Sequence, residues 1–238
     1  DMVLRLTEKA ENIVHIPKIL YYWRAHPQSV AAGIGAKPYV IAAAKKALGD
    51  HLVRVGLKGE VLDSVVPSMY RLWYQIEGEP LVSILIPNYE HKAELQTCLE
   101  SIFEKSSYQN FEVIVIENNS KSQEIFDYYE EIQQRWKNVK VIKWDGYFNY
   151  SAINNYGVQF ASGSHFLLLN NDTQVISRDW IQEMLMYSQR SDVGAVGAKL
   201  YYPDGTLQHA GVIIGINGSA GHSHKGLHNA KDNTGDMY

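Results

Sequence analysis

HFLLLNNDTQV, residues 165–175, is an apolar run that ends on Asn170, Asn171 and Asp172. An apolar run bounded by polar residues reads as a strand buried on both faces of a parallel sheet. In open α/β sheets, ligands sit just beyond the carboxyl ends of the strands. Asp172 falls at such an end. A carboxylate there is a hard oxygen ligand for Mg²⁺ or Mn²⁺, and either ion can hold a diphosphate. The competing reading of Asn-Asn-Asp-Thr is a simple turn, since these residues are common turn formers.

Outward from this run, strands and helices take turns. The pattern predicts strands at 81–87, 111–116, 139–143 and 165–169. Between and after them it predicts helices at 91–105, 123–136, 150–161 and 178–190, by the spacing of their apolar residues. Gly163 is read as the C-cap of the third of these helices and Ser177 as the N-cap of the fourth. Two further strands are expected at 193–200 and 207–216, joined by the turn signal Tyr-Pro-Asp-Gly at 202–205. This alternation predicts an α/β fold with a mostly parallel sheet and helices on both faces. Residues before 80 break the rhythm: 13–25 reads as a strand pair or extended arm and 39–55 as a helix. The segment from Gly215 to Tyr238, rich in Gly, Asn, His and Asp, reads as a loop.

Composition removes several function classes. The net charge of −4 and pI near 6.1 argue against a broad nucleic-acid-binding face. Cys98 is the single cysteine, so no internal disulfide and no thiolate metal cage can form. The longest apolar runs are too short to span a bilayer, and residues 1–15 lack a signal-peptide core, which fits a reducing, cytoplasmic setting. His209, His222, His224 and His228 lie close in sequence, but their spacing in a glycine-rich stretch is a weak zinc signal.

Three of the four strand ends line up as polar rows: Asn88-Tyr89-Glu90, Glu117-Asn118-Asn119-Ser120 and Asn170-Asn171-Asp172. Together they suit a nucleotide pocket, with Tyr89 able to stack on a base and an acid after the second strand able to meet a base N–H or ribose hydroxyl. The chain contains neither G-x-G-x-x-G nor a P-loop, which disfavours a dinucleotide cofactor.

VSILIPNYE, FEVIVIENNS, FNYSAINNYGVQFASG and HFLLLNNDTQV, in this order, resemble the nucleotide-binding half of family 2 glycosyltransferases. AKLYYPDGTLQHAGVIIG and AGHSHKG extend the resemblance toward the bacterial branch that builds rhamnan, O-antigen and other cell-surface polysaccharides. The resemblance implies a GT-A fold and inverting, metal-dependent transfer of a sugar from a nucleotide-sugar donor to a growing glycan or lipid-linked glycan of the cell wall or surface. It places Pro87, Asn88, Tyr89 and Glu90 on the nucleobase and ribose, with Asn118 beside them. It puts Glu117 where the family more often carries aspartate, again on base or ribose. Asn155 falls in the N-x-G element of the donor pocket, and Asn171 in the same site. Asp172 is implied as the ligand of Mn²⁺ or Mg²⁺, with Asn170 where many members have a first aspartate.

DMVLRLTEKAENIVHIPKILYYWRAHPQS resembles the closing segment of a further copy of the same enzyme, with His26 matching a histidine near the donor diphosphate. This implies three parts: 1–36, the end of a preceding transferase domain; 37–79, a helical linker with short strands; and 80–238, the nucleotide-binding half of the next domain. The general base is then expected after Tyr238, and residues 1–238 alone are expected to be inactive. Work at the inner face of the membrane, through peripheral association of the full-length protein, fits the same reading. The alternative is a non-catalytic GT-A module that binds nucleotide or scaffolds a tandem synthase.

Overall fold

The computed structural model describes residues 1–22, 39–64, 66, 68–215 and 218–228. They divide into two compact units, one ending at Gln75 and one starting at Ile76. His26 lies outside the described residues.

The first unit holds α1 (Met2–Thr7), α2 (Tyr39–Arg54) and the antiparallel pair β1 (Gly59–Asp63) and β2 (Tyr70–Tyr74). Residues 13–22 form no strand; the chain bends at Lys18, whose N–H donates to the Ile16 carbonyl at 2.8 Å, and leaves its apolar side chains exposed. Glu8 follows α1 and accepts from Arg54 (2.8 Å) and lies 2.7 Å from His51 Nδ1, both on α2. Tyr70 on β2 donates to the Ile41 carbonyl at 2.7 Å, tying the hairpin to α2.

The second unit is built on β3 (Val82–Asn88), β4 (Phe111–Glu117), β5 (Val139–Lys143) and β6 (His165–Leu168). They form one sheet in the order β5-β4-β3-β6, and every pair is parallel. Strand residues alternate between two faces. Ile84, Ile86, Val113 and Val115 face a core shared with Leu95, Leu99 and Ile102 of α3 (Lys92–Lys105) and with Ile125 and Ile132 of α4 (Gln123–Arg135). Leu85, Ile114 and Ile116 face the other way and pack with Ile153 of α5 (Tyr150–Val158). Ile181 and Leu185 of α6 (Trp180–Ser188) join the first core. The expected α/β sheet with helices on both faces is therefore present.

Four local expectations need correction. The helix at 150 ends at Val158 with Gln159 as C-cap, so Gly163 does not cap it. Gly163 instead crosses β3 so closely that a β-carbon there would stand 2.4 Å from the Leu81 carbonyl oxygen. The N-cap of α6 is Asp179, not Ser177, and its side chain makes no capping bond. Residues 193–199 form no strand; only β7 (Leu200–Tyr201) pairs, with β8 (Leu207–His209). Gly194 and Gly197 give that stretch little to pack. Finally, the segment read as loop after 215 contains β10 (Ala220–His222), which pairs with β9 (Val212–Ile214). The 202–205 turn forms as expected: Gly205 has φ +83° and its N–H reaches the Tyr202 carbonyl at 2.9 Å.

Candidate functional site

The sheet reverses its direction of growth at β3. From there the chain builds β4 and β5 to one side, then returns to place β6 on the other. Such a switch point opens a crevice at the carboxyl ends of the strands. Here the crevice has a visible cause. β6 pairs with β3 only as far as Leu85–Leu168, with one more bond from Leu169 N–H to the Leu85 carbonyl (2.9 Å). β3 runs on through Ile86, Pro87 and Asn88, still paired with β4. Pro87 carries no N–H. The Leu85 carbonyl points to β6 and the Asn88 carbonyl to the Asn118 N–H, so by alternation the Pro87 nitrogen faces the side where β6 has already left.

A cavity of about 480 Å³ opens at this place, lined by Pro87, Asn88, Tyr89, His91, Asn118, Asn119, Tyr147, Phe148 and Asn171. Tyr147 is 97% exposed and Phe148 69%, so their rings are available to a ligand. They sit in the loop between β5 and α5. That loop is held by Asn118 Nδ2 (3.2 Å) and Asn119 Nδ2 (3.0 Å), both donating to the Gly146 carbonyl, and by Asn149, whose side chain caps α5 at the Ala152 N–H (2.9 Å).

Beneath the cavity runs a buried polar chain. Asn171 Nδ2 donates to Asn88 Oδ1 at 2.6 Å, bridging the crevice. Asn88 Nδ2 donates to the Glu90 carbonyl (2.9 Å) and to the Tyr129 hydroxyl (2.8 Å). Tyr129 donates to Glu117 Oε2 at 2.8 Å. Ser120 gives Glu117 its hydroxyl (2.6 Å) and its backbone N–H, and receives the Glu90 N–H at 2.9 Å. Burial first, and then the Glu117 carboxylate working against the bond from Asn88, pushes the Tyr129 pKa up, so the phenol keeps its proton.

Several residues named from the sequence sit in the cavity wall: Pro87, Asn88, Tyr89, Asn118 and Asn171. Glu117 does not. It is 2% exposed and both its oxygens are taken by Ser120 and Tyr129. Glu90 turns away as well. Its carboxylate accepts the Lys121 N–H (2.6 Å) and the Ser122 N–H (3.3 Å) just before α4, bonds that hold it below the usual carboxylate range. Asn155 is exposed on α5 and is not in the wall, while its neighbour Asn154 is buried and donates to the Tyr150 carbonyl. Gly157 of the same N-x-G element lets α5 approach the sheet: a β-carbon there would lie 2.4 Å from Ile116 Cδ1. The cavity also uses Asn119, which the sequence reading gave no role beyond its place in a polar row, and His91, Tyr147 and Phe148, which it did not select. The missed signal for the aromatic pair was the carboxyl end of the third strand, where Trp144–Asn149 follows β5.

Asn170 and Asp172 are exposed after β6, and no bond or ion pair involves either side chain among the described residues. Two free hard-oxygen groups beside the cavity fit Mg²⁺ or Mn²⁺ in kind. No cluster of three or more His, Cys, Asp or Glu capable of holding a metal occurs among the described residues, so such an ion would need oxygens from its ligand as well.

The family model for glycosyl transferase family 2 matches residues 83–237. The chain belongs to that family. It is 45% identical over 227 residues to the uncharacterized protein y4gI of Sinorhizobium fredii, covering 94% of this chain and 25% of that protein. It is 40% identical over 224 residues to the O-antigen biosynthesis protein RfbC of Myxococcus xanthus, covering 93% of this chain and 17% of that protein. The chain thus spans a quarter or less of these curated relatives. Among solved structures it resembles the mannosyltransferase PcManGT of Pyrobaculum calidifontis, in complex with GDP-Man and Mn²⁺, at TM-score 0.49 and 14% identity over 70% of this chain and 46% of that one. It also resembles GalNAc-T7 with UDP, GalNAc and Mn²⁺, at TM-score 0.46 and 16% identity over 55% and 25%. The GT-A reading of the fold stands on the family membership and on the parallel four-stranded sheet. No helix among the described residues is long and apolar enough to cross a membrane.

Proposed function

We propose that this glycosyltransferase domain binds a nucleotide-sugar in the crevice between β3 and β6 and serves its transfer, with inversion, to a growing cell-surface glycan. The observation that carries the reading is the cavity at the switch point, lined by the carboxamides of Asn88, Asn118, Asn119 and Asn171 and by Tyr89, Tyr147 and Phe148. The aromatic rings offer a π-face to a base or sugar, and Asn118 and Asn119 supply polar contacts for its edge. Asp172, with Asn170, would hold Mn²⁺ or Mg²⁺ at the diphosphate. When bound, the ion stabilises negative charge on the departing nucleoside diphosphate. Work at the cytoplasmic face of the membrane, on a glycan or lipid-linked glycan, fits the homology to an O-antigen biosynthesis protein.

The test is calorimetry of uridine, guanosine and thymidine diphosphates with and without Mn²⁺. At least one should bind, more tightly with the ion. A chain that binds none of them under either condition refutes the assignment of the cavity.

A further inference from the structure

The carboxamides of the cavity wall have a fixed polarity. A backbone carbonyl only accepts hydrogen bonds, and its two lone pairs allow two of them. The Gly146 carbonyl receives both Asn118 Nδ2 at 3.2 Å and Asn119 Nδ2 at 3.0 Å. Neither amide can turn over, because its oxygen would then face another oxygen. Gly146 is not in the wall, whereas Asn118 and Asn119 are. Each keeps its nitrogen on the loop and has its Oδ1 left for the cavity. Asn118 is only 6% exposed. Its Oδ1 accepts no hydrogen bond among the described residues, yet it is not sealed inside the protein. A nearly buried carboxamide oxygen in that position calls for a donor from the ligand.

Asp172 and Asn170 follow β6, on one side of β3, and Asn118 and Asn119 follow β4, on the other. A nucleotide whose diphosphate meets an ion at Asp172 therefore turns its base toward the β4 end. Glu117, at that end, is closed off by Ser120 and Tyr129, so reading the base falls to the two residues after it. Two acceptors there require two donors. Uracil and thymine flank their one ring N–H with carbonyls, and adenine and cytosine set their amino group beside a ring lone pair. Guanine alone among the common bases carries two donors side by side, N1–H and the N2 amino group. We propose that Asn118 and Asn119 select guanine, so that the donor taken by this cavity is a guanosine diphosphate sugar. This rests on the reading of the cavity given above. With any other common base, one of the two oxygens faces a lone pair.

The test is calorimetry in Mn²⁺ with the diphosphates of guanosine, inosine, uridine, thymidine, adenosine and cytidine. Guanosine diphosphate should bind at least about tenfold more tightly than the uridine, thymidine, adenosine and cytidine compounds, since a site built to bond an N–H rejects a base that lacks it. Inosine diphosphate keeps N1–H and lacks only the amino group, so it should fall about tenfold below guanosine diphosphate, the loss for one hydrogen bond. Asn118→Leu removes the oxygen at similar volume. It also frees the loop that carries Tyr147 and Phe148, which weakens every nucleotide alike. The readout is therefore the ratio of guanosine to uridine diphosphate affinity, which loosening of the loop leaves unchanged. In Asn118→Leu that ratio should fall to within about threefold of unity, because the pairing that set it is gone.

Uridine, thymidine, adenosine or cytidine diphosphate binding as tightly as guanosine diphosphate would overturn the proposal. So would inosine diphosphate binding equally well, or an undiminished ratio in Asn118→Leu. Should Asn118→Leu fail to fold, the six compounds on the unsubstituted protein decide it, with inosine diphosphate as the probe of the second donor. A chain that binds another nucleoside diphosphate more tightly removes this inference and leaves the cavity assignment standing. A chain that binds none removes both.

Discussion

Replacing Gly163 distinguishes two reasons for a glycine. A β-carbon at 163 would lie 2.4 Å from the Leu81 carbonyl oxygen, 2.7 Å from Ser83 Oγ and 2.9 Å from the Ser83 nitrogen. Ordinary contact begins at 3.4 Å, so the shortfall is about 1 Å. Two of the obstructing atoms are backbone of the β3 entry and cannot rotate away. The Gly163 N–H bond to Ser83 Oγ (2.9 Å) and the Ser164 N–H bond to the Leu81 carbonyl (3.1 Å) would stretch with any retreat. Overpacking costs about 1–3 kcal/mol, and weakened hydrogen bonds add about 1 kcal/mol. At roughly 2–4 °C per kcal/mol for a unit of this size, Gly163→Ala should lower Tm by roughly 4–16 °C. Gly163→Asn should do at least as much, since asparagine brings the same β-carbon. A left-handed cap would behave otherwise, because asparagine tolerates that conformation. Thermal melts followed by circular dichroism suffice, and a Gly163→Asn protein melting within about 2 °C of the unsubstituted one would refute the close-approach argument.

Asp172→Ala should abolish the Mn²⁺-dependent part of nucleoside diphosphate affinity and spare the metal-free part, and calorimetry with and without Mn²⁺ reads both. Tyr147→Ala and Phe148→Ala should each weaken nucleoside binding by about two- to tenfold, the range for one lost aromatic contact, with no fall in Tm because both rings are exposed. In the first unit, Arg54 and then His51 lower the Glu8 pKa from 4.5 to about 2. A depressed carboxylate stabilises the contact above its unfolded pKa and loses that stabilisation as pH falls through the folded one. The α1–α2 contact should therefore weaken as pH drops from 4.5 toward 2. Chemical shifts of residues 2–8 should follow that titration, and Glu8→Gln should remove it.

The strands and helices from 81 to 188 were legible because their apolar residues follow the periods of buried strands and amphipathic helices. β3, β4 and β5 fall within a residue of their expected bounds. What failed shares a cause: pattern reports which face a residue takes, not which neighbour it meets. Gly163 looked like a cap because it follows a helix, and the carbonyl of Leu81 that demands a glycine is 82 positions away in sequence. Glu117 looked like a pocket acid because it ends a strand. Its inward turn depends on Tyr129, and that residue reads only as an apolar helix position. Residues 193–199 carry a strand's composition, but a strand also requires a neighbour to pair with. Residues from the three polar strand ends line the cavity, and so does the aromatic loop after β5, which was left out of that comparison.

The missing hydrogen on Pro87 acts as a stop. An extended segment that drifted along the free side of β3 could continue the ladder begun by β6, and each added bond would draw the crevice closed. A proline at the first unpaired position on that side blocks the next bond of the ladder, whatever segment attempts it. The backbones of β3 and β6 are thus kept from pairing beyond Leu85, and only side chains bridge the crevice. A ligand entering it has no strand pairing to undo, which favours rapid entry into a shape already formed.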